Sequence, residues 1–140
     1  MNIKYQNTKL YKNNLFVTLQ EASIEPIITL KNNKKNIYTL FMFDPNAVGG
    51  NKIHWLIINI TDNEINNGNA LIKYKGPAPP KGSGKHHYTF VLAEQKKIIE
   101  INNLIFETRF IELKDLFRKL EVNKKNFIPK IIKYFVSENI

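Results

Sequence analysis

Residues 37–61 read Ile37-Tyr38-Thr39-Leu40-Phe41-Met42-Phe43-Asp44-Pro45-Asn46-Ala47-Val48-Gly49-Gly50-Asn51-Lys52-Ile53-His54-Trp55-Leu56-Ile57-Ile58-Asn59-Ile60-Thr61. Two runs, Ile37–Phe43 and Ile53–Thr61, are apolar at almost every position. A half-solvated strand alternates apolar with polar, so these runs predict central strands covered on both faces. Between them, Pro45 ends the first run by removing a ladder donor. Val48-Gly49-Gly50-Asn51 then supplies turn residues.

Outward from this pair the chain continues as short strands broken by turn signals. Phe16–Gln20, Ile27–Leu30, Leu71–Tyr74, His86–Ala93 and Ile98–Ile101 are the other candidates. Asn32-Asn33, Asn66-Asn67-Gly68-Asn69 and the stretch from Gly76 to Gly84 punctuate them. Strands at this spacing, with no helical pattern between them, predict a mainly β sandwich in a single domain over residues 1–140. After about residue 110 the period changes. Leu113, Leu116, Phe117 and Leu120 recur at helical spacing. Asn126 can cap a second helix running to Val136, with Pro129 in its first turn and an apolar stripe of Ile128, Ile131, Ile132 and Phe135. Two C-terminal helices are therefore expected.

The chain has 140 residues and a formal charge of +9. With 43% hydrophobic residues it is not a disordered chain. No apolar run approaches the roughly 20 residues of a membrane-spanning helix, and Met1–Leu15 shows no apolar leader. Cysteine is absent, which removes disulfides, thiolate catalysis and Cys-based metal sites. These features fit a reducing, cytoplasmic compartment. The basic balance is a weak pointer to nucleic acid. Lys outnumbers Arg 19 to 2, and Asn, Lys and Ile together make 58 of the 140 residues, the skew of an AT-rich coding sequence. Arg, the residue suited to bidentate base contacts, is nearly missing. The lysines are scattered, with Lys34-Lys35, Lys96-Lys97 and Lys124-Lys125 the only adjacent pairs.

Polar groups at the ends of apolar strands are the candidates for chemistry. Asp44 closes the first run. His54 opens the second, where a lone histidine is more often a core or edge residue than a ligand. The third group lies in Gly76-Pro77-Ala78-Pro79-Pro80-Lys81-Gly82-Ser83-Gly84-Lys85-His86-His87-Tyr88. Alternation puts His86 and Tyr88 on one strand face and His87 on the other. Of the first five residues only Gly76 and Ala78 own a backbone N–H. Donors held by neighbouring prolines can bind an anion at small entropic cost. Ser83 sits in a Gly-rich turn, not in the strand-to-helix elbow of a nucleophilic serine.

In this order the motifs resemble the phosphatidylethanolamine-binding protein family, which includes the Raf kinase inhibitor proteins and plant flowering regulators. The residues that carry the resemblance are Asp44-Pro45-x-Ala47, His54-Trp55 heading a strand that ends in Asn59, and Tyr74-x-Gly76-Pro77-x-Pro79-Pro80-x-Gly82-x-Gly84-x-His86-x-Tyr88. It runs from about Tyr38 to Gln95, and more loosely through Arg109–Val122 into the C-terminal segment. It implies a Greek-key β-sandwich with a small anion pocket at one end, taking phosphate or phosphorylated head groups and binding protein partners such as a signalling kinase. Carried over by position, Asp44, His54, Gly76, Ala78, His86 and Tyr88 would bind the anion, and Trp55 and Pro77 would line its wall. Imidazoles and the Tyr88 hydroxyl can donate to phosphate oxygens, while Asp44 would fix an imidazole N–H. No cofactor, metal or catalytic residue is implied.

The chain also departs from the family pattern. The second motif aspartate is Asn46, the following proline is Val48, and the arginine between the pocket His and Tyr is His87. The lost acid and base are expected to be neighbours in space. Where the family's C-terminal helix presents a tyrosine to the pocket, this chain offers Ile132, with Tyr134 two residues on. Two other functions compete with a binding module. One is a metal-assisted hydrolase using Asp44, His54 and His86. The other is nucleic-acid binding, argued from charge alone.

Overall fold

In the computed structural model, which describes residues 1–102 and 104–140, the two apolar runs are adjacent antiparallel strands. They are β4 (Ile37–Asp44) and β5 (Lys52–Ile60), in a sheet completed by β2 (Leu15–Phe16), β6 (Asn69–Ile72), β7 (His86–Gln95) and β8 (Phe127–Ser137). The order across this six-stranded sheet is β2-β8-β7-β4-β5-β6. A second, two-stranded sheet pairs β1 (Asn2–Lys4) with β3 (Ile27–Thr29).

The apolar character of β4 and β5 follows from burial on both faces. One face carries Leu40, Met42, Trp55, Tyr88 and Phe90, packed under Ile3, Tyr5 and Leu30 from the smaller sheet and the N-terminal segment. The other carries Phe41, Ile53, Leu56 and Ile58, covered by Ile99 and by Leu116 and Leu120 at the helix α2 (Leu113–Lys119). Each face buries several large side chains at roughly 1.5–3 kcal/mol apiece, which explains why so few polar residues interrupt the runs. The expected mainly β fold is present, with helix restricted to α2, a one-turn α1 (Leu19–Ala22) and a short 3-10 turn among the described residues. None of these helices is long and apolar enough to cross a membrane.

The expected second C-terminal helix is absent. Phe127–Ser137 is instead an eleven-residue strand, antiparallel to β7 along its length. The helical stripe is produced by a bulge. Leu92 pairs with Ile131 and Ala93 with Pro129, so Lys130 is an extra residue without a partner. One extra residue in a period-2 pattern creates spacings of three and four that mimic a helix face. Pro129 lacks an N–H and is tolerated at such a bulge. Ile, Val, Tyr and Phe dominate the segment and fit a pleated surface. Two further differences are local. Phe16–Gln20 splits into β2 and α1, because the Thr18 hydroxyl accepts from Glu21 N and starts a helical turn. Ile98–Ile101 forms no strand. Ile99 tucks into the second core instead.

The loop after β6 is anchored to α1 by close approach. A Cβ on Gly76 would lie 2.7 Å from the Ala22 carbonyl oxygen and 2.8 Å from Ser23 Cα. The Tyr74 hydroxyl donates to that same carbonyl at 2.6 Å. Both clashing atoms are backbone, so Gly76→Ala should cost about 2 kcal/mol through overpacking. Urea unfolding checks this. A loss below half that size would mean α1 moves freely.

Candidate functional site

A β-bulge opens the site. Met42 pairs with Trp55 and Phe43 with Ile53, leaving His54 without a partner on β4. Ile53 therefore faces the second core while Trp55 faces the first, with His54 between them. Bulges beside functional sites re-aim side chains in this way. The bulge also leaves carbonyls to be satisfied from outside the ladder. The Arg109 guanidinium donates to the His54 carbonyl at 3.2 Å, the Ile53 carbonyl at 3.4 Å and the Lys73 carbonyl at 2.9 Å. The residues around it run along the bulge, with Ile53 N donating to Arg109 O and Ile111 N to Asn51 O. That pairing delivers Phe110 beside Lys52, whose ammonium lies 5.6 Å from the Phe110 ring centre.

The result is a cavity of about 130 Å³. Asp44, His54, Ala78, His86 and Tyr88 all line it, brought together from β4, β5, β7 and the proline loop. Three other sequence candidates fall outside the lining. Gly76 is spent on the contact with α1. Trp55 is buried edge-to-face on Tyr74, with ring centres 5.3 Å apart. Pro77 does not reach the cavity, whose loop wall is Ala78, Pro79 and Pro80. Sequence reading missed Lys52 and Phe110, along with Val48 at the rim. Lys52 had a signal, since it sits two positions before His54 at the head of the same strand. Phe110 had none, because its place depends on pairing across almost sixty positions.

The polar groups divide into spent and unspent. Asp44 has a partner on each oxygen: one accepts from Asn46 N at 2.8 Å and the other from His86 Nδ1 at 2.7 Å. His86 has a neighbour at each ring nitrogen. Its Nε2 lies 2.9 Å from the Ser83 hydroxyl, which also lies 2.7 Å from the Pro80 carbonyl it can donate to. Ser83 carries a single proton, so it can donate to only one of these partners at a time. Its own N–H goes to Pro80 O, and the Gly82 N–H to Asn139 O. Asp44, His86 and Ser83 thus have the connectivity of a nucleophile relay. Ser83 does not line the cavity, and two of its loop's N–H groups are committed rather than free for an oxyanion.

His54 is half spent. Its Nδ1 lies 2.7 Å from the Lys75 carbonyl, which can only accept, so Nδ1 carries the proton. Burial pushes its pKa down to about 4. Lys52 and Arg109 push the same way, while the Lys75 hydrogen bond and Asp44 oppose. The ring is neutral near pH 7, and its Nε2 has no protein partner among the described residues. The Tyr88 hydroxyl also lacks a partner among the described residues. Burial, then Asp44, raises its pKa, so it stays a neutral donor. Burial also lowers the Lys52 pKa, helped by Lys75 and Arg109 and opposed by Asp44.

Outside the cavity, Asn46 and His87 are neighbours. The Asn46 side-chain oxygen accepts from His87 N at 2.9 Å and lies 3.0 Å from His87 Nδ1. A hydrogen-bonded pair occupies the place expected for the lost acid and base. Neither Ile132 nor Tyr134 closes the cavity. Ile132 is exposed on β8, and Tyr134 packs against His87. No three His, Asp or Glu side chains converge to hold a metal ion among the described residues.

The profile described as phosphatidylethanolamine-binding protein matches residues 6–139. A 26 kDa secreted antigen of Toxocara canis is 31% identical over 110 residues, covering 72% of this chain and 42% of the antigen. The chain spans about half the length of the curated relatives it matches. Among solved structures, a carboxypeptidase Y inhibitor in complex with its cognate proteinase superposes with a TM-score of 0.78 at 18% identity, over 99% of this chain and 82% of that one. A phosphatidylethanolamine-binding protein from Plasmodium vivax gives 0.75 at 16% identity, over 99% and 84%. These two share the fold. The motif order and a profile match over nearly the whole length lead to one assignment: the chain belongs to the phosphatidylethanolamine-binding protein family.

Proposed function

We propose that this chain is a single-domain, non-enzymatic binding module whose small cavity holds a phosphate or a phosphorylated head group. The observation that carries this reading is the set of unspent groups in one cavity: the Lys52 ammonium, the Tyr88 hydroxyl and the His54 Nε2. A cation with directional hydrogen-bonding groups in a partly dry cleft recognises an oxyanion. The cavity is far smaller than the roughly 300–1,000 Å³ of drug-sized sites, so a head group fits and acyl chains do not. His86, its Nδ1 held by Asp44 and its Nε2 turned to the Ser83 hydroxyl, serves as a wall rather than as the principal donor.

Isothermal titration with phosphoethanolamine tests the reading. The parent protein should bind it, and Lys52→Met should weaken binding about tenfold, the equivalent of about 1.4 kcal/mol. Unchanged affinity in that variant would remove the cation from the site. By family analogy the bound state modulates a protein partner, with a signalling kinase as the first candidate and a peptidase, suggested by the inhibitor of shared fold, as the second. We place the protein in the cytoplasm. Export, suggested by the relative named a secreted antigen, is the outcome that cell fractionation would reveal.

A further inference from the structure

We propose that the cavity selects a phosphate monoester in its singly protonated form and discriminates against phosphodiesters and sulfate. This rests on the reading of the cavity as a phosphate site and sharpens it.

The argument begins at the Lys75 carbonyl. Because it accepts from His54 Nδ1 at 2.7 Å, the neutral ring must offer a lone pair at Nε2. Burial keeps the ring neutral, reinforced by two cations, Lys52 on β5 itself and Arg109 on the segment that runs along the bulge. Opposing them are the Lys75 carbonyl bond and one carboxylate, Asp44 on β4, already shared between His86 and Asn46 N. From β7, Tyr88 meets the imidazole edge-to-face at 5.3 Å.

The cavity therefore presents an acceptor beside a donor and a cation. A ligand carrying only acceptor oxygens satisfies Tyr88 and Lys52 but sets a lone pair against the lone pair of Nε2. A buried polar group left facing its own kind is penalised. Dialkyl phosphates and sulfates are such ligands. A phosphomonoester is different, because its second proton has a pKa of about 6. Its monoanion keeps charged oxygens for Lys52 and Tyr88 and offers one P–OH to His54 Nε2. The phosphodiester of an intact phospholipid lacks that proton, so the matched source is a free phosphomonoester.

The test is titration calorimetry with methyl phosphate, dimethyl phosphate and methyl sulfate at about pH 5.5 and about pH 8. Near pH 5.5 all three are close to monoanions, so charge does not separate them. Methyl phosphate should bind at least about tenfold tighter than the other two at the lower pH, and at least about tenfold tighter there than near pH 8. Ring 15N shifts of His54 provide a readout that needs no variant. Nε2 should show the shift of a bare nitrogen in the free protein and move when methyl phosphate is added. Methyl sulfate binding as tightly as methyl phosphate would overturn the selectivity and leave the phosphate-site reading standing. Methyl phosphate binding tighter near pH 8 would do the same. No binding of any of the three would overturn both.

Discussion

Asn59→Leu should destabilise the protein by about 4 kcal/mol, the largest single effect expected outside the apolar core. Asn59 ends the apolar stretch of β5 with φ at +58°, a left-handed conformation that asparagine tolerates far better than leucine. Its amide is used completely. The oxygen accepts from Gln95 Nε2 at 2.8 Å and Ile99 N at 2.9 Å. The nitrogen donates to the Ile99 carbonyl at 2.9 Å and to Asn69 Oδ1 at 3.1 Å. Gln95, buried on β7, accepts at its own oxygen from Asn59 N and from the Thr39 hydroxyl on β4. One amide thus ties β4, β5, β6, β7 and the segment around Ile99 into a satisfied polar node. Leucine leaves several of these partners unpaired, at about 1–3 kcal/mol for each that water cannot reach, and adds backbone strain of about 1 kcal/mol. Asn59→Gly separates the two contributions, since glycine keeps the conformation and loses only the amide. Urea unfolding should show glycine recovering about 1 kcal/mol of the loss. A leucine variant within about 1 kcal/mol of the parent would mean that water replaces the node.

Asn59 also marks where sequence reading stops being local. The runs that became β4 and β5 were legible because burial on both faces demands mostly apolar residues, β7 was legible from its apolar and aromatic residues after a Gly/Pro loop, and the ends of all three fell within one or two positions. The helix at Leu113 was legible because a solvated face lies opposite its apolar stripe. β8 was misread because a bulge at Lys130 imitates helical spacing, and a bulge is set by the partner strand rather than by the segment itself. The cavity divides in the same way. Asp44, His54, His86 and Tyr88 stand in motifs with fixed spacing along the chain. Lys52 was hidden among many solvated lysines in a skewed composition. The proton on His54 Nδ1 depends on Lys75, the partnering of the bulge's carbonyls on Arg109, and the outer wall on Phe110. All three sit on segments whose approach to β5 is a tertiary fact.

That proton carries the second large effect. The His54 imidazole in the unfolded chain takes up a proton below about pH 6.5. In the folded chain burial, reinforced by Lys52 and Arg109, delays uptake to about 4. Between those values the unfolded state binds more protons, so stability rises with pH across the interval. The contribution is complete above about pH 6.5 and is lost as pH falls toward the folded value. Its size should be about 3 kcal/mol, from roughly 1.4 kcal/mol for each pKa unit. Carboxylates add their own acid sensitivity, so the diagnostic quantity is a difference. His54→Asn keeps a side-chain N–H for the Lys75 carbonyl and removes the titrating ring. Guanidinium unfolding between about pH 4 and pH 7 should give a distinctly flatter stability profile for the variant than for the parent. Parallel profiles would assign the acid sensitivity elsewhere. If the variant does not fold, the parent decides the matter alone: ring resonances of His54 should show no protonation down to about pH 5, whereas a midpoint near the ordinary histidine value would place water, not a closed cavity wall, against the ring.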